Sequence, residues 1–178
     1  MNNDRAEEKY YGNQKCDYWD DKPTPSQDAK TKGFVGRYPV EAYEIGSVKP
    51  GEGNTNISTN AVRFATLGNV LHENKQNNQA NMGSEVNGFR HVLWQATITN
   101  EFGLSVARAA GNAHEDNHCI DLEQRTFSSM KQADQVVDLL NNEIGRSIGD
   151  TSSLPMKELA HRAAHQFYSK GIFTAVEQ

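Results

Sequence analysis

The chain has 178 residues, enough for one domain, or one domain and a tail, with a core that needs neither disulfides nor a structural metal. Its hydrophobic content of 36% is low, and most of the deficit lies in the first 56 residues. A formal net charge of −5 and a pI near 5.7 argue against a broad polyanion-binding surface and leave room for at most a single basic cleft.

At the N-terminus, Met1 to Lys9 lacks the apolar run of a signal peptide, and no stretch reaches the roughly 18 apolar residues of a membrane span. Residues 1–56 read as an irregular N-terminal arm. Lys22-Pro23-Thr24-Pro25-Ser26 is an extended linker, and Val40–Val48 suits a short extended piece. Tyr10, Tyr11, Tyr18, Trp19 and Phe34 would pin the arm to a helical body formed by residues 57–178. Cys16 and Cys119 are too few and too distant for a disulfide framework and fit synthesis in a reducing cytoplasm.

Five helices follow. The first is expected from Ser58 to Asn74, capped by Ser58 or Thr59. The second starts behind Ser84 and carries Val86, Phe89, Leu93 and Ala96 on one face until Gly103 stops it. The third runs from Ser105 to at least Asn117. The fourth places Phe127, Met130, Ala133, Val137, Leu140, Ile144 and Ile148 at helical spacing and ends at Gly149. The fifth has Ser153 as cap and Pro155 in its first turn, and Gly171 closes it. No strand alternation competes, so the expected fold is all-α, about five helices in an orthogonal bundle.

His114-Glu115-Asp116-Asn117-His118 fits H-E-x-x-H. On a helix, histidines four apart can chelate one zinc while the glutamate activates its water. Asp116 departs from the uncharged residue usual before the second histidine, and Asp116 to Cys119 is poor helix-forming sequence. A third ligand would come from His91, Glu123 or His165. The sequence demands no cofactor; zinc on His114 and His118 is the one it admits. Otherwise His114 and Glu115 act without metal, or simply cross-link helices.

The second helix also carries Asn87, His91 and Gln95 four apart, flanked by Arg90 and Trp94. Such a stripe either binds and moves protons or is a half-buried polar face beneath the arm. The fourth helix adds Asp134, Asp138, Asn141, Asn142 and Arg146. Adjacent mid-helix asparagines compete for the backbone, a local cost that points mildly to function. His161 and His165 read as exposed surface.

Three ordered blocks carry a resemblance: Asn87-Gly88-Phe89-Arg90-His91 with Trp94, then Gly111-Asn112-Ala113-His114-Glu115, then Asp138-Leu139-Leu140-Asn141-Asn142-Glu143-Ile144-Gly145-Arg146. Together they resemble an uncharacterised helical domain of bacterial polymorphic toxins and type VI secretion cargo, over about residues 54–149. His118 lies outside that pattern. The resemblance implies an antibacterial effector, secreted without a signal peptide, with a secretion apparatus or carrier protein and a cognate immunity protein as partners.

The resulting expectation is a hydrolase of the cell envelope, peptidoglycan first, acting in the target periplasm or cytoplasm. His91, His114 and Glu115 would be catalytic. Asn87, Arg90, Trp94, Gln95, Asn112, Asn141, Asn142 and Arg146 would hold substrate. The alternatives are a nuclease toxin, with His91 and His114 as base and acid and Arg90 and Arg146 on phosphate, and a non-enzymatic binding or adaptor module.

Overall fold

The computed structural model describes residues 26–49, 53, 56–67, 71, 81–115, 120–151 and 153–175. Among these the chain is all-helical with no strand. Seven helices occur in the order α1 (Gln27–Arg37), α2 (Pro39–Ile45), α3 (Ile57–Leu67), α4 (Glu85–Phe102), α5 (Leu104–His114), α6 (Met130–Gly149) and α7 (Met156–Lys170). No described helix is long and apolar enough to cross a membrane.

The two additional helices lie where an irregular arm is expected. Ser26 caps α1 by accepting from the Ala29 amide, with Asp28 in the first turn and Arg37 in the last, both signs suited to the helix dipole. Tyr38 then joins α1 to α2, and Pro39 takes the first position of α2, where its missing N–H costs nothing. The extended piece expected at 40–48 is thus helical through Ile45. The rings of Tyr10, Tyr11, Tyr18 and Trp19, most of the Pro-rich linker, and both cysteines lie outside the described residues.

The remaining boundaries shift for local reasons. Asn56, not Ser58 or Thr59, caps α3, since its Oδ1 accepts from the Thr59 amide at 2.8 Å. Ser58 instead donates to the Gly46 carbonyl and accepts from the Trp94 indole. The described part of α3 ends at Leu67. Ser84 caps α4 as expected. Helix α5 stops at His114 and does not reach Asn117, because Glu115 takes an extended backbone (φ −86°, ψ 143°). Ser129 caps α6, two residues beyond Phe127. Pro155, not Ser153, occupies the cap position of α7.

Helix α4 is the centre. One face joins Val86, Phe89, Val92 and Leu93 to Ala65, Leu71 and the α7 residues Leu159, Ala160 and Ala163. Another joins Ile98 to Ile45, Ile57, Val106, Ala107 and Ala110, with Phe34 and Trp94 packed against them. A third face meets α6 along its length. A Cβ at Gly145 would lie 2.4 Å from the Val92 carbonyl oxygen, and one at Gly149 2.2 Å from that of Ala96. These glycines, one turn apart, let the two backbones touch; Gly149 serves packing as much as helix termination.

Candidate functional site

The α4–α6 contact is polar and buried. Asn87 donates to Asp138 at 2.9 Å, His91 Nδ1 meets Asn142 Oδ1 at 3.1 Å, and Arg146 donates to Gln95 at 3.3 Å. Each pair is separated by 51 residues. Two stripes with a step of four therefore mesh rung by rung between helices running in the same direction. The Asn87–His91–Gln95 stripe faces α6, not the N-terminal helices. Asn141 lies off this ladder, exchanging two hydrogen bonds with the backbone of Phe173 and so tying down the C-terminal segment.

His91 is the middle rung. An amide oxygen accepts only, so Asn142 Oδ1 fixes a proton on Nδ1. A guanidinium donates only, so Arg90 Nη2, 2.9 Å away, takes the lone pair of Nε2. His91 is thus a neutral imidazole of known tautomer. Burial, then Arg90 and His114, hold its pKa well below 6.5 against the opposing Asn142 bond. Asp138 Oδ2 stands 3.3 Å from the same Nε2; with His91 neutral this is not an ion pair, and the nitrogen lone pair disfavours a charged carboxylate beside it. Burial and the neighbouring Asp134 push Asp138 up to about 7, against Arg90 and the Asn87 hydrogen bond.

Glu115 and His114 arrive from the end of α5. The N-terminal helix seats them: Gln27 donates to the His114 carbonyl and Lys30 to the Glu115 carbonyl. These are carbonyls a helix end leaves unsatisfied, and Lys30 is a cation at the negative pole of α5. The side chain of Glu115 is buried, and among the described residues its Oε1 has no hydrogen-bond partner. Burial, Asp138 and Asp134 raise its pKa to about 8, against Arg90 and Lys30. His114 is packed among these groups yet keeps part of its surface in solvent, with its ring 5.7 Å from that of His91 and 5.5 Å from that of Trp94. Burial and Arg90 lower its pKa, and its exposure makes this shift the weaker of the two histidines'.

Asn87, Arg90, His114, Glu115, Asp134 and Asp138 line a polar cavity of about 400 Å³. Of the residues expected at a site, His91, His114 and Glu115 come together, with Asn87 and Arg90 beside them. Trp94 lines a second, adjoining cavity. Gln95, Asn142 and Arg146 sit behind His91 in the ladder, Asn141 holds the C-terminal segment, and Asn112 lines neither cavity. Asp134 and Asp138, expected merely on a polar helix face, complete the cavity wall. Their signal was the step of four that Asp138 shares with Asn142 and Arg146.

The zinc pattern loses its premise at Glu115, whose extended backbone ends the helix on which two histidines would share a face. His118 lies outside the described residues. A different donor set exists: nitrogens of His91 and His114 and a Glu115 oxygen lie within 4.8 Å of one another. These could hold a metal ion once Arg90 leaves His91 Nε2, the nitrogen an ion would need. Glu123 and His165 are exposed and belong to no such group among the described residues.

No curated protein and no solved structure matches the chain. A family model described as a domain of unknown function, DUF6973, matches residues 53–171, which spans α3 to α7 and every residue of the α4–α6 ladder. The chain belongs to this family, DUF6973.

Proposed function

We propose that the chain is an antibacterial effector that hydrolyses a glycosidic bond of the bacterial cell envelope, with Glu115 as general acid and Asp138 as its partner carboxyl. The observation that carries this reading is Glu115 itself: a buried carboxyl with a free oxygen, on the wall of a polar cavity, that keeps its proton to about pH 8. A second carboxyl, Asp138, lines the same cavity. Glu115 gives its proton to the glycosidic oxygen as the carbon–oxygen bond breaks. Water forms the new bond to the anomeric carbon and loses a proton to ionised Asp138. Solvent then restores both groups. Asn87 holds Asp138 by donating to its Oδ1, and the Arg90 charge favours the ionised form. The effector context rests on the sequence resemblance, and with it the secretion apparatus or carrier and the immunity protein.

A nuclease reading draws on Arg90 between two imidazoles. Against it, Arg146 is engaged by Gln95, and three carboxyls line the cavity a phosphate would enter. Expression of the chain with and without periplasmic export in a test bacterium separates the readings. Lysis that requires export and disappears in Glu115→Gln is expected. Growth arrest with degraded nucleic acid from cytoplasmic expression would overturn the proposal. Stoichiometric zinc on the purified chain, lost in His91→Ala, would replace the acid with a metal-bound water.

A further inference from the structure

A second cavity of about 580 Å³ opens on the other side of Arg90 and His114, both of which line it as well as the acidic cavity. Its character is opposite. Its wall is mainly apolar and includes Phe34, Val35, Tyr43, Val48, Trp94 and Ala113. Three of these keep large apolar side chains in water, with Val35 47%, Tyr43 85% and Val48 53% exposed. Apolar surface left wet around a concavity marks a place where a ligand is bound. Helix α1, which supplies Phe34 and Val35 to this wall, also seats His114 and Glu115 through Gln27 and Lys30, so one element helps build the cleft and orders the acid.

We propose that this cleft is the subsite for a hydrocarbon chain, so that the substrate is an amphiphile whose apolar chain lies against Phe34, Val35 and Trp94 and whose polar head reaches Glu115 past Arg90 and His114. This rests on the hydrolase reading and sharpens it, from envelope saccharides in general to those linked to a lipid. Each buried methylene of the chain adds roughly 0.8 kcal/mol to binding, which a chain-free saccharide forgoes.

The test uses Trp94 as reporter. The chain has two tryptophans, so Trp19→Phe leaves Trp94 alone. An alkyl saccharide brominated on its chain, kept below its micelle concentration, is titrated against this variant, and quenching is read. Saturable quenching is expected, with no competition from the same saccharide lacking the chain. Val35→Glu, at an exposed position that folding tolerates, weakens it about tenfold or more by placing a charge at the mouth. Ala113→Leu, which fills the cleft without adding charge, also weakens it, and circular dichroism checks that both variants fold. Glu115→Gln leaves quenching intact. Absent quenching, affinity unchanged in Val35→Glu, or equal competition by the chain-free saccharide overturns the subsite. Intact quenching with no turnover of any alkyl saccharide supports the subsite and overturns the hydrolase reading instead.

Discussion

Glu115 and Asp138 hold protons that ordinary carboxyls release near pH 4.5 and 3.8. Because their folded-state pKa values are raised, to about 8 and about 7, the unfolded chain gives up these protons first. Their contribution to stability therefore falls as pH rises from about 4 to about 8. His91 and His114 act in the other direction. Their pKa values are lowered from 6.5, so their contribution is lost as pH falls below 6.5. Between 6.5 and 8 the carboxyls act alone. Urea unfolding at the two pH values is expected to show lower stability at pH 8. Glu115→Gln should regain on the order of 2 kcal/mol there. The same pair predicts a bell-shaped kcat/KM, rising near pH 7 as Asp138 ionises and falling near pH 8 as Glu115 does. Asp138→Asn should lower the rate at least about 100-fold and remove the acid limb. A profile flat across this range would contradict the assignment.

Helices α4 and α6 show what was legible and what was not. Both were readable over most of their length, because apolar residues recur at helical spacing, and Ser84 stands where α4 needs its cap. Both polar stripes were readable too, as steps of four. That they mesh at a constant offset of 51 residues was not, since register between distant helices leaves no local trace. Helix α1 was illegible for another reason. Gly33 and Gly36 each weaken a helix by about 1 kcal/mol, and α1 buries none of its residues. What stabilises it is long-range: Gln27 and Lys30 meet carbonyls 87 and 85 residues away. The ladder depends on the glycine contact. Gly145→Ala forces a methyl into the Val92 carbonyl and is expected to cost about 2–4 kcal/mol in urea unfolding. A neutral outcome would mean that the helices can separate without harm.

At the scale of the whole molecule, the described residues hold a polar seam between α4 and α6 beside two apolar clusters, and the seam ends at a cavity. Gln95–Arg146 lies farthest from the cavity, His91–Asn142 in the middle, and Asn87–Asp138 at the cavity. The titratable groups of the cavity gather where the seam meets the end of α5 and the start of α1. The pattern around His114 and Glu115 presumes a helix face, and Glu115 instead stands just past a helix end. The central claim is that Glu115 donates the proton that cleaves an envelope glycosidic bond. The direct measurement is the release of reducing ends from isolated bacterial envelopes by the wild-type chain and Glu115→Gln, side by side at pH 7.5. Release by the wild type and a loss of about 100-fold or more in the folded variant are expected. Equal rates, or no release by the wild-type chain, would contradict it.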